Sequence, residues 1–364
     1  MPRAAAQIGH IRAAAYTIPT DAPESDGTIA WDRTTLVTVE IDASGKTGFG
    51  YTYDHSAAVR LIEGTLAPEL LGRDAFAIES NWAAMNAIVR NIGRPGVASC
   101  AISAIDTALW DLKAKLLGVP LAVLFGQARD SVPVYGSGGF TSYDDRRLAK
   151  QLSGWAEQGC RWVKMKIGRD PEKDLARVKA ARAAIGDTAL FVDANGAYTR
   201  KQALGFAHEF APLSVRWFEE PVSSDDLPGL RMIRDRAPAG MNIAAGEYGY
   251  TPYYFRTMLE VGAVDVLQAD ATRCGGFTGF LRAAALCDGF EIPLSSHCGP
   301  AIHLSVACAA PRLVHMEWFH DHVRIEQMLF DGAPKIRDGH IAPDMSAPGH
   351  GLIFRRADAQ KFEA

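Results

Sequence analysis

Seven polar or charged residues recur through the second half of the chain at nearly regular intervals. They are Lys166, Asp193, Glu219, Glu247, Asp270, His297 and Glu317. Their separations, by subtraction, are 27, 26, 28, 23, 27 and 20 residues, and a strand with its following helix is about that long. If each residue ends a parallel strand, all seven converge on one mouth. Five of them are carboxylates, so a compensating cation or hydrogen bonds must accompany them.

Three of these carboxylates, Asp193, Glu219 and Glu247, end the predicted third, fourth and fifth strands, so they are close enough to share one ion. Oxygen ligands without cysteine or histidine favour a hard cation, Mg²⁺ with Mn²⁺ as the alternative. The remaining coordination positions would be left to water or substrate. The competing interpretation is that one carboxylate, most easily Glu219 beside Glu220, pairs with an arginine.

Lys164 and Lys166 are two residues apart on the predicted second strand, so both side chains face the same side. Two ammonium groups beside a divalent cation disfavour each other's charge. We therefore expect the pKa of at least one lysine to be depressed, which would make it a usable base. The alternative is an exposed lysine pair on a solvated strand, and the apolar neighbours Val163, Met165 and Ile167 argue against it.

Asp270 and His297 end the sixth and seventh strands, where a hydrogen bond between them would fix the imidazole tautomer and raise its basicity. Lys166 and His297 are five strands apart around a ring, so we expect them to face a substrate from roughly opposite sides. Glu317, on the eighth strand, can hydrogen-bond a substrate oxygen. Two bases and a cation suit proton abstraction next to a carboxylate, because the cation stabilises the resulting enediolate.

Eight predicted strands alternate with helices after residue 132. They cover 133–137, 162–167, 189–193, 215–219, 242–247, 264–270, 290–295 and 313–317. This pattern favours a closed parallel α/β barrel, and no G-x-G-x-x-G motif suggests a dinucleotide fold. Before it, a hairpin over 34–53 precedes helices at 56–71, 76–93 and 98–117. We predict an α+β domain over 1–125, a barrel over 126–325, and a segment, 326–364, that returns to the first domain.

Composition excludes several classes of protein. The 364 residues carry a net charge of −4 without a basic tract, so we expect no nucleic-acid partner. No apolar run is long enough to span a membrane, and residues 1–15 lack the apolar core of a secretory signal. Six scattered cysteines are typical of a reducing compartment. We therefore expect a cytoplasmic protein without a membrane partner.

Several short motifs together resemble the enolase superfamily, specifically its mandelate racemase subgroup, which includes muconate lactonizing enzyme-like and acid-sugar dehydratase-like proteins. The motifs are AIDTALWDLK (104–113), VKMKIG (163–168), VDAN (192–195), FEEP (218–221), GE (246–247), DATRCGG (270–276), SSH (295–297) and ME (316–317). The resemblance implies an N-terminal capping domain and a modified TIM barrel, (β/α)7β, whose eighth strand lacks a regular following helix. It also implies a homo-oligomer.

The same resemblance assigns roles to individual residues. It places the metal on Asp193, Glu219 and Glu247. It makes Lys166 one base and His297, with Asp270, the other. Lys164 would touch the substrate carboxylate, Glu317 would bond the enolate, and Asn195 would lie near the substrate or the metal.

The expected substrate is a small carboxylate. We predict Mg²⁺-dependent dehydration of a sugar acid, an aldonate or aldarate, to a 2-keto-3-deoxy acid. The same residues also suit a racemase or epimerase of a 2-hydroxy acid and a cycloisomerase of a sugar lactone, and a non-catalytic acid-binding barrel is a remote alternative. The predicted loop over 16–28 is polar and includes Asp21, Glu24, Ser25 and Asp26, which can accept hydrogen bonds from hydroxyls. An aryl substrate would favour an apolar lid instead.

Overall fold

The computed structural model describes residues 6–364. Residues 1–5 lie outside the described residues. They belong to the predicted first domain, 1–125, and to the stretch 1–15 in which no secretory signal was expected. Within 6–364, none of the helices combines the length and the apolar character that crossing a membrane requires.

The N-terminal region is an antiparallel three-stranded sheet that packs on helices. Its elements are β1 His10–Ser25, β2 Ala30–Ala43, β3 Lys46–Tyr53, α1 Ala57–Leu61, a π-helical turn Ile62–Leu66, α2 Ala67–Leu70, α3 Ile78–Ile88, α4 Val97–Leu117 and α5 Leu121–Phe125. The sheet lies very close to α4. A Cβ at Gly48 would be 2.2 Å from Ala108 O, and one at Gly50 would be 2.3 Å from Ala104 O. Glycine at these two positions therefore permits the close packing.

The expected loop over 16–28 is wrong, because β1 continues to Ser25. Pairing with β2 runs to Pro19 opposite Arg33, is interrupted by a bulge, and resumes at Glu24 opposite Trp31. The turn itself is short, and its Gly27 packs against the barrel: a Cβ there would be 2.3 Å from Ala194 O. Alternating polar residues in this segment reflect a strand with one exposed face rather than an irregular loop.

Eight parallel strands then form a closed barrel. They are β4 Val132–Gly138, β5 Trp162–Lys166, β6 Ala189–Asp193, β7 Val215–Glu219, β8 Asn242–Ala245, β9 Val266–Ala269, β10 Leu294–Ser296 and β11 Leu313–Phe319. Each pairs with the next, and β11 closes the ring on β4, with Met316 opposite Val134. Tyr135, Phe191 and Trp217 fill part of the interior. The predicted fold class is confirmed.

Helices alternate with the barrel strands. They are α6 Asp145–Glu157, α7 Pro171–Ala184, α8 Arg200–Phe210 with a 3₁₀ turn Ala211–Leu213, α9 Leu227–Arg236, α10 Pro252–Val261, α11 Gly276–Gly289, α12 Pro300–Ala309 and α13 His320–Leu329. Helix α13 follows the eighth strand directly, whereas the family resemblance implied that this strand lacks a regular following helix. Its side chains bond the N-terminal region, Asp321 accepting from Thr34 at 2.5 Å and Glu326 from Tyr51 at 2.7 Å. Helix α13 therefore joins cap and barrel.

The C-terminal segment contacts both regions. Its elements are β12 Phe330–Asp331, β13 His340–Ile341, β14 Ile353–Phe354, α14 Arg356–Ala359 and a 3₁₀ turn Gln360–Phe362. Strand β13 pairs with β4, while His350 Nε2 lies 2.9 Å from Phe49 O in the N-terminal sheet.

Candidate active site

The strand register places the predicted site residues side by side at one end of the barrel. Lys166 on β5 is opposite Asp193 on β6, which is opposite Glu219 at the end of β7. Glu247 follows β8 two residues after its last member, Ala245. These side chains meet because parallel neighbours present their carboxyl ends to the same face.

A network of charged bonds connects the buried lysines and carboxylates. Lys164 Nζ lies 2.7 Å from both oxygens of Glu219 and 2.8 Å from Glu317 Oε1. Lys166 Nζ donates to Asp193 Oδ2 at 2.5 Å. Both lysines are buried, so the alternative of a solvated pair is wrong.

The carboxylates around the two lysines act against the depression of a lysine pKa that was expected beside a divalent cation. Burial disfavours the charge of Lys166, as does the like charge of Lys164, but Asp193 together with Glu247 and Glu219 outweighs both, and the pKa of Lys166 is raised. Burial likewise opposes the charge of Lys164, yet Glu219 and Glu317 raise its pKa well above the ordinary value. Carboxylates around the pair, rather than mutual repulsion, set the charge of these ammonium groups.

His297 and Asp270 form the predicted pair. His297 Nδ1 lies 2.8 Å from Asp270 Oδ2, and both side chains are buried. Burial favours the neutral carboxyl, but the hydrogen bond with His297 helps hold the pKa of Asp270 well below its usual range. With Nδ1 engaged, His297 Nε2 is the nitrogen left for chemistry, and it lies 3.5 Å from Glu247 Oε2.

Glu317 lies on the eighth strand with both oxygens engaged. Ser137 Oγ donates to its Oε1 at 2.6 Å, and the Cys298 amide donates to its Oε2 at 2.8 Å. Burial opposes its charge, but Lys164, His297 and Lys166 together outweigh burial and lower the pKa of Glu317. Glu317 is therefore an ionised carboxylate that keeps Lys164 in place.

A cavity of about 370 Å³ opens onto this face between the cap and the barrel. Of the nine residues assigned metal, proton-transfer or substrate roles, four are in its wall: Lys166, Asn195, Glu247 and His297. Asp26 of the polar segment is also in the wall. The other five, Lys164, Asp193, Glu219, Asp270 and Glu317, are bonded to one another or to wall residues. The backbone N–H of Asn195 donates to Asp193 Oδ1 at 2.9 Å. The side-chain Oδ1 of Asn195 is buried and has no hydrogen-bond partner among the described residues.

Sequence reasoning missed several groups at this face. Glu220 is buried with a left-handed φ of 36° and an unpartnered Oε1. Arg273 Nη1 lies 3.2 Å from Glu247 Oε1, and Cys298 Sγ lies 3.2 Å from His297 Nε2. The FEEP and DATRCGG motifs contain Glu220 and Arg273, whereas nothing in the sequence pattern marked Cys298.

The donor set fits a divalent cation. One oxygen from each of Asp193, Glu219 and Glu247 lies within 4.8 Å of the other two. Two oxygens that bind one Mg²⁺ from opposite sides, each at about 2.1 Å, are about 4.2 Å apart, so a small shift of these side chains would bring all three into contact with one ion. Glu247 Oε2 is buried without a hydrogen bond. Carboxyl groups also outnumber cations at this face, where the cations are Lys164, Lys166 and Arg273 and the six buried carboxyl groups are Asp193, Glu219, Glu220, Glu247, Asp270 and Glu317. Burial, followed by the neighbouring carboxylates, raises the pKa of both Glu219 and Glu220 well above the ordinary value.

Comparison with known families identifies the class of protein. Residues 15–126 match the model of the mandelate racemase/muconate lactonizing enzyme N-terminal domain, and residues 146–358 match that of the enolase C-terminal domain-like family. The chain belongs to the mandelate racemase/muconate lactonizing enzyme group of the enolase superfamily. The resemblance inferred from the motifs is confirmed.

Individual relatives are similar over most of their length. The chain is 36% identical to 3,6-anhydro-α-L-galactonate cycloisomerase of Streptomyces coelicolor, covering 95% of this chain and 97% of that protein. It is 33% identical to L-talarate/galactarate dehydratase of Salmonella typhimurium, covering 89% and 85% respectively. The expected enzyme class, a lyase or isomerase of this superfamily, is confirmed.

Solved structures agree with this assignment. A mandelate racemase/muconate lactonizing enzyme-like protein from Rubrobacter xylanophilus superposes with a TM-score of 0.96 at 52% identity, covering 98% of this chain and 100% of that one. A racemase from Streptomyces coelicolor with bound magnesium superposes with a TM-score of 0.92 at 34% identity, covering 98% and 100%.

Proposed function

We propose that the protein is a Mg²⁺-dependent enzyme that removes the α-proton of an acid sugar and eliminates the β-hydroxyl, yielding a 2-keto-3-deoxy acid. The observation that carries this proposal is the shared cavity wall of Lys166 and His297. Between their strands, along one arc of the ring, lie the three clustered carboxylates. A metal site flanked by two proton-transfer groups suits α-proton chemistry at a carboxylate.

Asp193, Glu219 and Glu247 would hold the metal. When bound, Mg²⁺ supplies positive charge that stabilises enediolate oxygens and offsets the carboxylates that now hold Lys166 in its charged form. Lys164, buried between Glu219 and Glu317, adds a second positive charge that would attract the substrate carboxylate. Asn195 is in the cavity wall, and its unpartnered Oδ1 can accept a hydrogen bond from a substrate hydroxyl.

Proton transfers follow from the two bases. Neutral Lys166 takes the α-proton of one C2 epimer and neutral His297 that of the other, and the electrons of that C–H bond form the enediolate. The β-carbon–oxygen bond then breaks as protonated His297 donates from Nε2, so that water leaves and the enol product tautomerises to the keto acid. Asp270 orients His297 through Nδ1 and stabilises its charged form.

A second candidate is cycloisomerisation of a sugar lactone or anhydro ring. The 36% identity to a cycloisomerase over nearly the full length of both chains favours it. The proton steps are the same, but the leaving oxygen stays attached to the substrate as the ring opens. In racemisation or epimerisation, each base would serve one face of the α-carbon, and no group would leave.

The test is NMR of the Mg²⁺-loaded protein in D₂O with a panel of aldonates, aldarates, their lactones and simple 2-hydroxy acids. A keto acid formed from an open-chain polyhydroxy acid supports dehydration. A keto acid formed only from cyclic substrates moves the assignment to cycloisomerase, and α-deuteration or inversion without a keto product moves it to racemase or epimerase. No reaction with any sugar acid contradicts the proposal.

A further inference from the structure

Two aromatic side chains meet in the cavity where the cap joins the barrel. Tyr53 ends β3, and His322 lies in the first turn of α13. Their ring centroids are 3.5 Å apart with an interplanar angle of 15°. Tyr53 is 9% exposed and His322 is 8% exposed, and both contribute to the cavity wall. The stack therefore lines the same space as Lys166 and His297.

Hydrogen bonding fixes the tautomer of His322. The Gly299 amide donates to His322 Nδ1 at 3.2 Å, so Nδ1 carries a lone pair. Burial, aided by nearby His297, lowers the pKa of His322 to about 3. The ring is then neutral near pH 7, and its one proton resides on Nε2. No described residue accepts a hydrogen bond from that nitrogen.

Tyr53 contributes a second uncommitted polar group. Its hydroxyl oxygen is buried and has no hydrogen-bond partner among the described residues. Burial raises the pKa of Tyr53 well above its ordinary value, so the hydroxyl keeps its proton and can both donate and accept. A buried polar group without a partner is unfavourable, and a ligand oxygen in the cavity would relieve it.

We propose that His322 and Tyr53 form a subsite that reads an oxygen of the substrate beyond its reacting carbons, a hydroxyl or a ring oxygen. The inference rests on the proposed function and specifies what the same cavity recognises. His322 Nε2–H donates to that oxygen, and Tyr53 Oη donates to it or accepts from it. An aryl acid would leave both groups unpaired, so the subsite selects polyhydroxy acids.

The variants that test this subsite keep an aromatic ring at each position of the stack. His322→Phe removes the Nε2–H together with the Nδ1 that accepts from the Gly299 amide, and Tyr53→Phe removes only the hydroxyl. Tyr51→Phe is the matched control, since Tyr51 is also a buried cap tyrosine but bonds Glu326 rather than lining the cavity. Thermal melts of all three variants establish that each is folded.

Binding is measured by calorimetry on the Mg²⁺-loaded protein with galactarate, D-gluconate and mandelate as probes. For the polyhydroxy acid that binds the wild type most tightly, we expect each cavity variant to weaken binding by about 5- to 30-fold, the effect of one lost hydrogen bond that leaves its partner unpaired. Mandelate binding should change less than twofold, and Tyr51→Phe should match the wild type. Unchanged polyhydroxy-acid binding in His322→Phe, or wild-type protein that binds no polyhydroxy acid more tightly than mandelate, would overturn the subsite.

A spectroscopic measurement tests the tautomer without any ligand. ¹⁵N-histidine NMR should assign His322 as neutral with its proton on Nε2 between pH 6 and 8. A proton on Nδ1 would overturn the proposal. Failure of the proposed function has a different signature: binding would depend on His322 as expected, but the wild type would not exchange the α-proton of any bound acid.

Discussion

Replacing Asp270 with asparagine tests how the catalytic imidazole is held. Asp270 Oδ1 accepts from Thr272 N and Thr272 Oγ1, both at 2.7 Å, while Oδ2 lies 2.8 Å from His297 Nδ1. The Thr272 amide can only donate, so it holds the carbonyl oxygen of the introduced side chain and turns the NH₂ group toward His297. That NH₂ requires Nδ1 to accept, which places the imidazole proton on Nε2 and blocks Nε2 as a base.

The size of the shift in the His297 tautomer follows from the cost of the opposite orientation of the introduced side-chain amide. Turning the NH₂ toward Thr272 instead would leave a buried amide donor unpaired at a cost of about 2 kcal/mol. The wrong tautomer is then favoured by roughly 30-fold at 1.36 kcal/mol per decade. For the C2 epimer whose α-proton faces His297, we expect Asp270→Asn to slow proton abstraction by at least about 30-fold, and more once the lost stabilisation of the imidazolium is included.

The assay for Asp270→Asn has two readouts. Solvent deuterium uptake at the α-carbon reports the rate of abstraction, and ¹⁵N NMR reports which nitrogen of His297 is protonated. Thr272→Val is the control, because it removes the hydroxyl donor but keeps the Asp270–His297 bond, and we expect its rate within threefold of the wild type. Asp270→Asn with a wild-type rate, or with the His297 proton still on Nδ1, would refute the reasoning.

Three further predictions concern the metal, the pH dependence of stability and the cap. Glu219→Gln should weaken Mg²⁺ binding at least tenfold by calorimetry, and Glu220→Gln should weaken it less; the reverse order would make Glu220 the ligand. Burial raises the pKa of Glu326 to about 7 from an ordinary value of 4.5, so its protonated form stabilises the fold fully below pH 4.5 and this contribution is lost as the pH rises toward 7. Relative to Glu326→Gln, the wild type should lose up to about 3 kcal/mol between pH 4.5 and 7.5 in urea melts; equal slopes would show that the carboxyl is ionised throughout. Gly50→Ala, whose Cβ would be 2.3 Å from a carbonyl of α4, should destabilise by about 1–3 kcal/mol, whereas Gly64→Ala, with nothing within 4 Å, should stay near the wild type in the same melts.

Periodic features of the fold could be predicted from the sequence. Each strand–helix repeat brings one polar residue to the same end of the barrel, so spacing alone located the face where Lys166, Asp193 and His297 meet. The eight short motifs, VKMKIG and FEEP among them, together then indicated the family. These inferences rest on local patterns that a regular parallel sheet converts directly into three-dimensional neighbours.

Features that depend on long-range packing could not be predicted in this way. Tyr53 and His322 are 269 residues apart by subtraction, and only the docking of the cap on α13 stacks them. The charge of Lys166 depends on how many carboxylates surround it, which a K-x-K pattern does not reveal. Polar residues and prolines such as those before Gly27 are typical of a surface loop and equally of a bulged edge strand, so only the pairing of β1 with β2 distinguishes the two.

The most direct test of the central claim is the fate of the α-proton in single-base variants. Mg²⁺-loaded wild type, Lys166→Ala and His297→Asn are each incubated in D₂O with the two C2 epimers of an accepted acid sugar, and NMR follows deuterium at C2 together with keto-acid formation. We expect Lys166→Ala to lose exchange with one epimer and His297→Asn with the other, by at least about 10³-fold, while circular dichroism shows both folded. If both variants lose exchange with the same epimer, or if either variant exchanges both epimers at the wild-type rate, the result would contradict two bases acting from opposite sides of one cavity.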